Sequence, residues 1–199
     1  MLYSMSSEEK NTKTRILEAT WHLMEQRLSK EVSMSDIAKT TGISRQGIYL
    51  HFPSRTELLI ATAIYVDEVK DLPKRVEKFN ATTNGIELLD TCVDVWGSYI
   101  PEIYGLAKAL LRTRDTDEAA AAAWNDRMNG LRSFCTEVIE ALDRDGTLSP
   151  EWPPQQAIEM LWTIISINNW EQLTKECGWS KKEYIERMKK LLKRTFVAQ

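Results

Sequence analysis

The stretch Thr40 to Phe52, TTGISRQGIYLHF, sets a glycine, a cap-type serine and two aromatics around a histidine. As core it is odd, because its apolar residues are sparse and its polar ones large. It reads instead as the turn and second helix of a helix-turn-helix, a motif that lays its second short helix in the DNA major groove. Ser35 to Thr41 supplies the supporting helix, Gly42-Ile43 the turn, and Ser44 to Leu50 the reader. Ile37, Ala38, Ile43 and Ile48 form the expected small core, with Ala38 where two closely crossing helices admit only a small side chain. Arg45 and Gln46 fall in the reader's first turn, where arginine can grip guanine bidentately and glutamine adenine. Gly47 lets backbone approach the groove, and Tyr49 and His51 carry polar tips suited to phosphates. A capped helix pair in any α protein has the same spacing, so spacing alone leaves both readings open.

Helical signals continue in both directions. Ile16, Leu17, Thr20, Trp21, Leu23, Met24 and Leu28 mark one face of a first helix, roughly Asn11 to Leu28. Ser33-Met34-Ser35-Asp36 resembles a capping box with Asp in place of Glu, and Gly42 ends the helix it opens, since glycine enters the left-handed backbone region freely. Ser44 and Ser54 cap the third and fourth helices. The fourth runs through Val69, and Pro73 is expected to kink or end it. Asn80 to Gly85 reads as a loop, with Asn84 placed as a cap. Pro101 suits the start of a sixth helix. Asp117 opens a long helix ending near Gly146. The next is expected from about Gln155 to Cys177, and Ser180-Lys-Lys-Glu183 caps the last. The expected fold is all-α, about nine helices: a three-helix helix-turn-helix module over residues 1–55 and a larger helical bundle over 56–199, with the fourth helix connecting them.

Composition narrows the class. The chain has 199 residues, 43% apolar and 28% charged, which predicts a packed core rather than disorder. No window approaches the roughly 18 apolar residues of a membrane span, and MLYSMSSEEKNTKTR lacks a signal-peptide core, so a cytoplasmic location is expected. Cys92, Cys135 and Cys177 fit neither a disulfide framework nor metal spacing. Net charge is −3, against non-specific coating of nucleic acid. Residues 1–60 hold eight basic and seven acidic side chains, the remainder 18 and 22. Catalysis finds no support: the two histidines, His22 and His51, lie far apart beside no nucleophile motif, and no phosphate-binding glycine loop occurs. No metal or other cofactor is expected.

The stretches Thr12-Lys-Thr-Arg-Ile-Leu-Glu-Ala-Thr20, Asp36-Ile-Ala-Lys39, Gly42-Ile-Ser44, Ile48-Tyr-Leu-His-Phe52 and Ser54-Arg-Thr-Glu-Leu-Leu59 resemble, in order and spacing, the tetracycline-repressor-like (TetR) regulator family. The likeness covers the first third of the chain; beyond it only helix count and layout agree. It implies a homodimer that binds operator DNA and releases it on binding a small effector. It places Tyr49 and His51 at phosphates, Arg55 at the basic position opening the fourth helix with Ser54 beside it, and Thr14 and Lys39 as weaker phosphate contacts. Arg45, Gln46 and Gly47 sit where the family reads bases, and the capping Ser44 is counted with them among the DNA-binding residues. Gln46 stands where glycine is frequent, so an operator preference does not carry over. The bland role for His51 is a cap on the loop into helix four.

The family's dimer is built on its two final helices. Here Ile158, Leu161, Trp162, Ile164, Ile165 and Ile167 surround one helix, and Tyr184, Met188, Leu191 and Thr195, beside Ile185, Leu192 and Phe196, stripe the other. A thick monomeric core is the alternative. Seven tryptophans are present, all but Trp21 in the C-terminal part. Trp96, Tyr99, Tyr104, Trp124, Met128, Phe134 and Trp162 are candidates for lining an apolar or aromatic effector pocket, against the simpler role of filling a bundle core. Asn168 and Asn169, two amides in an apolar helix, need partners from protein, water or ligand. Asp94 and Glu102 could pair a cationic effector or simply be solvated. A regulator with no small effector, governed by a protein partner, remains the rival.

Overall fold

The computed structural model describes residues 7–27 and 30–198, with side chains from Asn11 onward; the expectation for Leu28 lies outside these residues. Its helices are Ser7–Gln26 (α1), Met34–Thr41 (α2), Arg45–His51 (α3), Arg55–Val69 (α4), Leu72–Asn80 (α5), Gly85–Thr113 (α6), Glu118–Arg144 (α7), Pro154–Ile164 (α8), Ile167–Glu171 (α9) and Lys181–Phe196 (α10). A π-helical turn, Gln172–Glu176, follows α9. The all-α expectation holds: among the described residues, extended pairing is confined to a bridge between Leu148 and Val197. No described helix is long and apolar enough to cross a membrane.

Two compact units emerge. The first gathers the described residues within Met1–Val69 and Ile103–Arg127, the second Lys70–Glu102 and Met128–Gln199. In the first, α1 packs on α2 and α4, and α2 on α3. Ile16, Leu17, Leu23 and Met24 of α1 are buried at the 3.6-residue period, as are Ile37, Ile48, Leu58 and Val66 of the other three helices. Thr20 is buried at no cost in unpaired polarity, because its hydroxyl donates to Ile16 O at 2.8 Å. The second unit holds a larger core around Leu89, Val93, Tyr99, Cys135, Ile139, Leu161, Tyr184 and Leu192.

Three expectations fail in the second half. Pro101 starts no helix but lies inside α6. A proline there forfeits a backbone bond, roughly 3 kcal/mol. The burial of Tyr99, Ile100 and Leu106 on either side offsets that loss, while Pro101 itself faces out. Second, the helix expected from Gln155 to Cys177 breaks after Ile164. Ser166 caps a new helix, accepting from Asn169 N at 3.4 Å. Third, the buried stripe of α10 is Tyr184, Met188, Leu192 and Phe196, at strict four-residue spacing, and Leu191 is left 48% exposed. Pro73 behaves as predicted: α4 ends at Val69, and the proline takes the first turn of α5, an additional helix.

Candidate nucleic-acid interface

Local chemistry fixes α2 and α3 from both ends. Ser33 Oγ accepts from Asp36 N at 3.2 Å while Ser33 N donates to Asp36 Oδ2 at 3.0 Å, so the aspartate completes the capping box. The Ser33 hydroxyl and N–H, then Arg27 at 3.0 Å, hold the Asp36 carboxyl down to about 2. Gly42 closes α2 with φ 71°, its N–H donating to Ala38 O. Thr41 links the turn, donating to Ile37 O at 2.8 Å and accepting from Ile43 N at 3.3 Å. Ser44 then caps α3, accepting from Gly47 N at 3.0 Å. Gly47 also has a packing reason: a Cβ there would sit 3.0 Å from Ile43 Cγ2 and 3.2 Å from Ser44 Oγ.

With Ile48 and Phe52 buried, the helical period turns Arg45, Gln46, Tyr49 and Leu50 outward as one row. Tyr49 is 40% and Leu50 82% exposed. The row offers a bidentate cation, an amide, a phenol and an apolar tip, a set able to meet guanine, adenine, a phosphate and a thymine methyl. Leu50 is the member sequence reasoning gave no role. The signal was present, since Ile48 and Phe52 alone at four-residue spacing satisfy the core. Of the other expected contacts, Lys39 is exposed, Thr14 and His51 are half-buried, and Ser54 Oγ accepts from Glu57 N at 3.1 Å to start α4. Arg15, another residue without an expected role, donates to Thr41 O at 2.9 Å and ties α1 to the turn. Lys13 Nζ lies 5.5 Å from the Phe52 ring centroid.

Arg55, expected at the basic position opening the fourth helix, has partners within the first unit. Its Nη1 and Nη2 donate to the two oxygens of Asp117 at 2.6 and 2.7 Å, and its Nε donates to Val32 O at 2.8 Å. Only 17% of its side chain is exposed, and 5% of that of Asp117. Asp117 also accepts from Ala119 N at 3.0 Å and Ala120 N at 3.3 Å, as the expected opening of α7. Burial raises the Asp117 carboxyl, and the Arg55 hydrogen bonds and charge, with those N–H groups, bring it below its ordinary value.

The effector candidates divide between the units. Tyr104 and Trp124 belong to the first, and Trp96, Tyr99, Met128, Phe134, Trp162, Asn168 and Asn169 to the second. Several are already engaged. Trp96 Nε1 donates to Ile165 O at 2.6 Å, and Asn169 Nδ2 to Thr163 O and Ile164 O at 2.9 and 3.2 Å, so both cover carbonyls freed at the end of α8. Asn168 is exposed. Tyr99 is buried under Arg75, Phe134 meets Phe79 edge-on, Arg132 lies over Trp162 and Arg114 over Trp124. Tyr104 and Met128 are half-buried. Asp94 pairs with Lys189 at 2.6 Å and Glu102 with Arg75 at 2.6 Å. A cleft of about 900 Å³ in the second unit, between Phe79, Asn84, Leu88, Glu137, Glu140 and Arg144, is lined by none of the expected residues.

Residues 16–62 match the family pattern described as bacterial regulatory proteins, tetR family. The HTH-type transcriptional regulator EthR of Mycobacterium tuberculosis is 29% identical over 144 residues, 70% of this chain and 64% of that protein. The chain thus spans just under two thirds of the first curated relative it matches. Among solved structures, a protein of Saccharomonospora viridis assigned to transcriptional regulation, in complex with choline, aligns over 96% of this chain and 100% of its own with a TM-score of 0.74 and 18% identity. The regulator FadR of Bacillus subtilis, in complex with stearoyl-CoA, aligns over 92% and 98% with a TM-score of 0.72 and 16% identity. At such identities the two structures speak to the fold alone. A capped helix-turn-helix lies inside this matched segment and the similar sequences are regulators: it is the N-terminal residues 16–62 that match the tetR family of bacterial regulatory proteins.

Proposed function

We propose that this chain is a ligand-responsive, sequence-specific DNA-binding transcriptional regulator, a repressor released from a palindromic operator by a small apolar or aromatic effector, and not an enzyme. The observation that carries the reading is the outward row Arg45, Gln46, Tyr49 and Leu50 on a helix locked by the Ser44 cap and the Ile48 core. Arg45 and Gln46 read bases, with Leu50 against a thymine methyl; Ser44 and Gly47 let the helix end approach the groove. Tyr49, His51 and Ser54, with Thr14 and Lys39 at the margin, position the phosphates.

One reader helix buries too little to hold a site tightly, so two copies are required. The final helices supply the self-complementary surface: Met160 of α8 is 39% and Leu191 of α10 48% exposed, with Trp162 and Ile164 half-buried beside Met160 in sequence. The choline and stearoyl-CoA held by the similar structures support a ligand for this chain too, though not its identity. Met128, Phe134 and Trp162, half-buried in the second unit, are the proposed contacts. Such a ligand must favour one state over the other, and a coupling of about 1–3 kcal/mol would weaken DNA binding roughly 5–150-fold.

The test is selection of duplexes from a random pool by the purified full chain, then a compound screen for release of the selected duplex. Enrichment of a two-fold symmetric site and a releasing compound are expected. Enrichment of one asymmetric site by a monomer contradicts the dimer, and compounds that bind without altering DNA affinity contradict the sensor role.

A further inference from the structure

The ion pair between Arg55 and Asp117 joins three segments of the first unit at one point. Arg55 is the first residue of α4, its Nε holds the carbonyl of Val32 just ahead of the α2 cap, and its fork grips the residue that caps α7. Glu31 Oε1 lies 3.4 Å from the same guanidinium. At the other end of α4, Asp67 pairs with Arg127 of α7. Helix α4 is therefore tied to α7 at both ends, 12 residues apart on one helix and ten on the other. The void beside Arg55 and Asp117, bordered by Met24, Leu59, Ala109 and Thr113, measures about 10 Å³, room for one water at most. The void offers the guanidinium no room to move inward.

We propose that Arg55 and Asp117 are a positioning pair that carries the state of the first turn of α7 to the helix-turn-helix, so that Arg55 serves DNA binding through its carboxylate partner and not at a phosphate. This rests on the DNA-binding reading above. The chemistry favours arginine for the task. A bidentate fork with a third bond through Nε fixes both the angle and the distance between α4, the α2 entry and α7, which the single ammonium of lysine cannot do. A phosphate contact makes no such demand, and lysine meets it as a point charge. Coupling is reciprocal, so DNA held by α3 must in turn steady the first turn of α7.

The experiment uses the full chain, a labelled duplex selected by the wild-type protein, and fluorescence anisotropy across a salt series. Thermal unfolding verifies that each variant is folded. The variants are Arg55→Lys, which keeps the charge, and Asp117→Asn, which keeps a good helix cap. Both should weaken the duplex by about tenfold or more, and the double variant should lose little beyond either single one. The slope of log affinity against log salt should change by well under the ~0.9 that one lost phosphate contact gives. In parallel, hydrogen exchange across Asp117–Trp124 should slow when saturating duplex binds the wild type, and not when it binds Asp117→Asn. The exchange result on the wild type stands alone if a variant fails to fold. The pair is overturned if Arg55→Lys binds as the wild type does, if Asp117→Asn tightens binding with a steeper slope, or if duplex leaves the α7 exchange unchanged. A wild-type chain that enriches no duplex overturns instead the DNA-binding reading, and the pair falls with it.

Discussion

The outward row of α3 and the aromatic residues of the second unit make opposite use of similar side chains. Arg45, Gln46 and Tyr49 have no side-chain hydrogen bond or ion pair to another described residue, yet the helix beneath them is held at both ends by Ser44 and by the buried Ile48 and Phe52. Trp96, Tyr99, Asn169 and Asp94 are equally rich in chemistry, but each has a partner inside its own unit. A recognition surface needs groups that are positioned but unsatisfied, since a group already bonded gives up as much as it gains on meeting a ligand. By that measure α3 is poised for a partner, while Trp96 and Asn169 maintain the break between α8 and α9.

The sharpest way to break the contrast is to remove its support. Ile48→Ala deletes a side chain with no exposed surface, and about 2–5 kcal/mol of stability should go with it. Hydrogen exchange should show α2 and α3 losing protection while α10 amides keep theirs; equal loss in both would mean the two units are not independent. A smaller effect sharpens the other side. Trp96→Phe removes the donor to Ile165 O and should lower stability in urea by about 1–3 kcal/mol. If stability held and only ligand affinity fell, Trp96 would be an effector contact and not a brace for the break between α8 and α9.

The smallest effect is in pH. Folding lowers the Asp36 carboxyl from 3.8 to about 2, so its bonds to Ser33 and Arg27 stabilise the first unit above about pH 4 and are lost as the pH falls towards about 2. Asp36→Asn should flatten the acid limb of α2 unfolding, followed by exchange or circular dichroism, in that window alone. An unchanged limb would put the acid sensitivity elsewhere.

The same contrast explains what could be read from the residues. Around α2 and α3 every boundary is set by a neighbour three or four positions away: Ser33 with Asp36, Ser44 with Gly47, Gly42 through its own backbone. Such signals survive in a linear string. In the second unit the deciding partners are distant. Pro101 is carried inside α6 because buried neighbours outweigh the local preference, and α8 ends where Trp96, 69 positions away, donates to the carbonyl of Ile165. Ser166 was a visible cap, hidden only by the apolar run on either side of it. The Arg55–Asp117 pair, 62 positions apart, had no linear signal at all. Leu50 could have been found, since a helix of seven residues with Ile48 on its core side cannot also bury its neighbour at 50.

The central claim is that the exposed row of α3 reads DNA sequence. It is tested most directly by binding of the selected duplex, and of each single-base variant of it, to the wild type, Arg45→Ala and Gln46→Ala at one fixed salt concentration. A bidentate contact is worth about 1–3 kcal/mol of discrimination, so each substitution should erase the preference at its own base pair, symmetrically in two half-sites about 34 Å apart or a multiple of that. Tyr49→Phe should instead weaken every duplex alike. Discrimination that survives both α3 substitutions at every position would contradict the account.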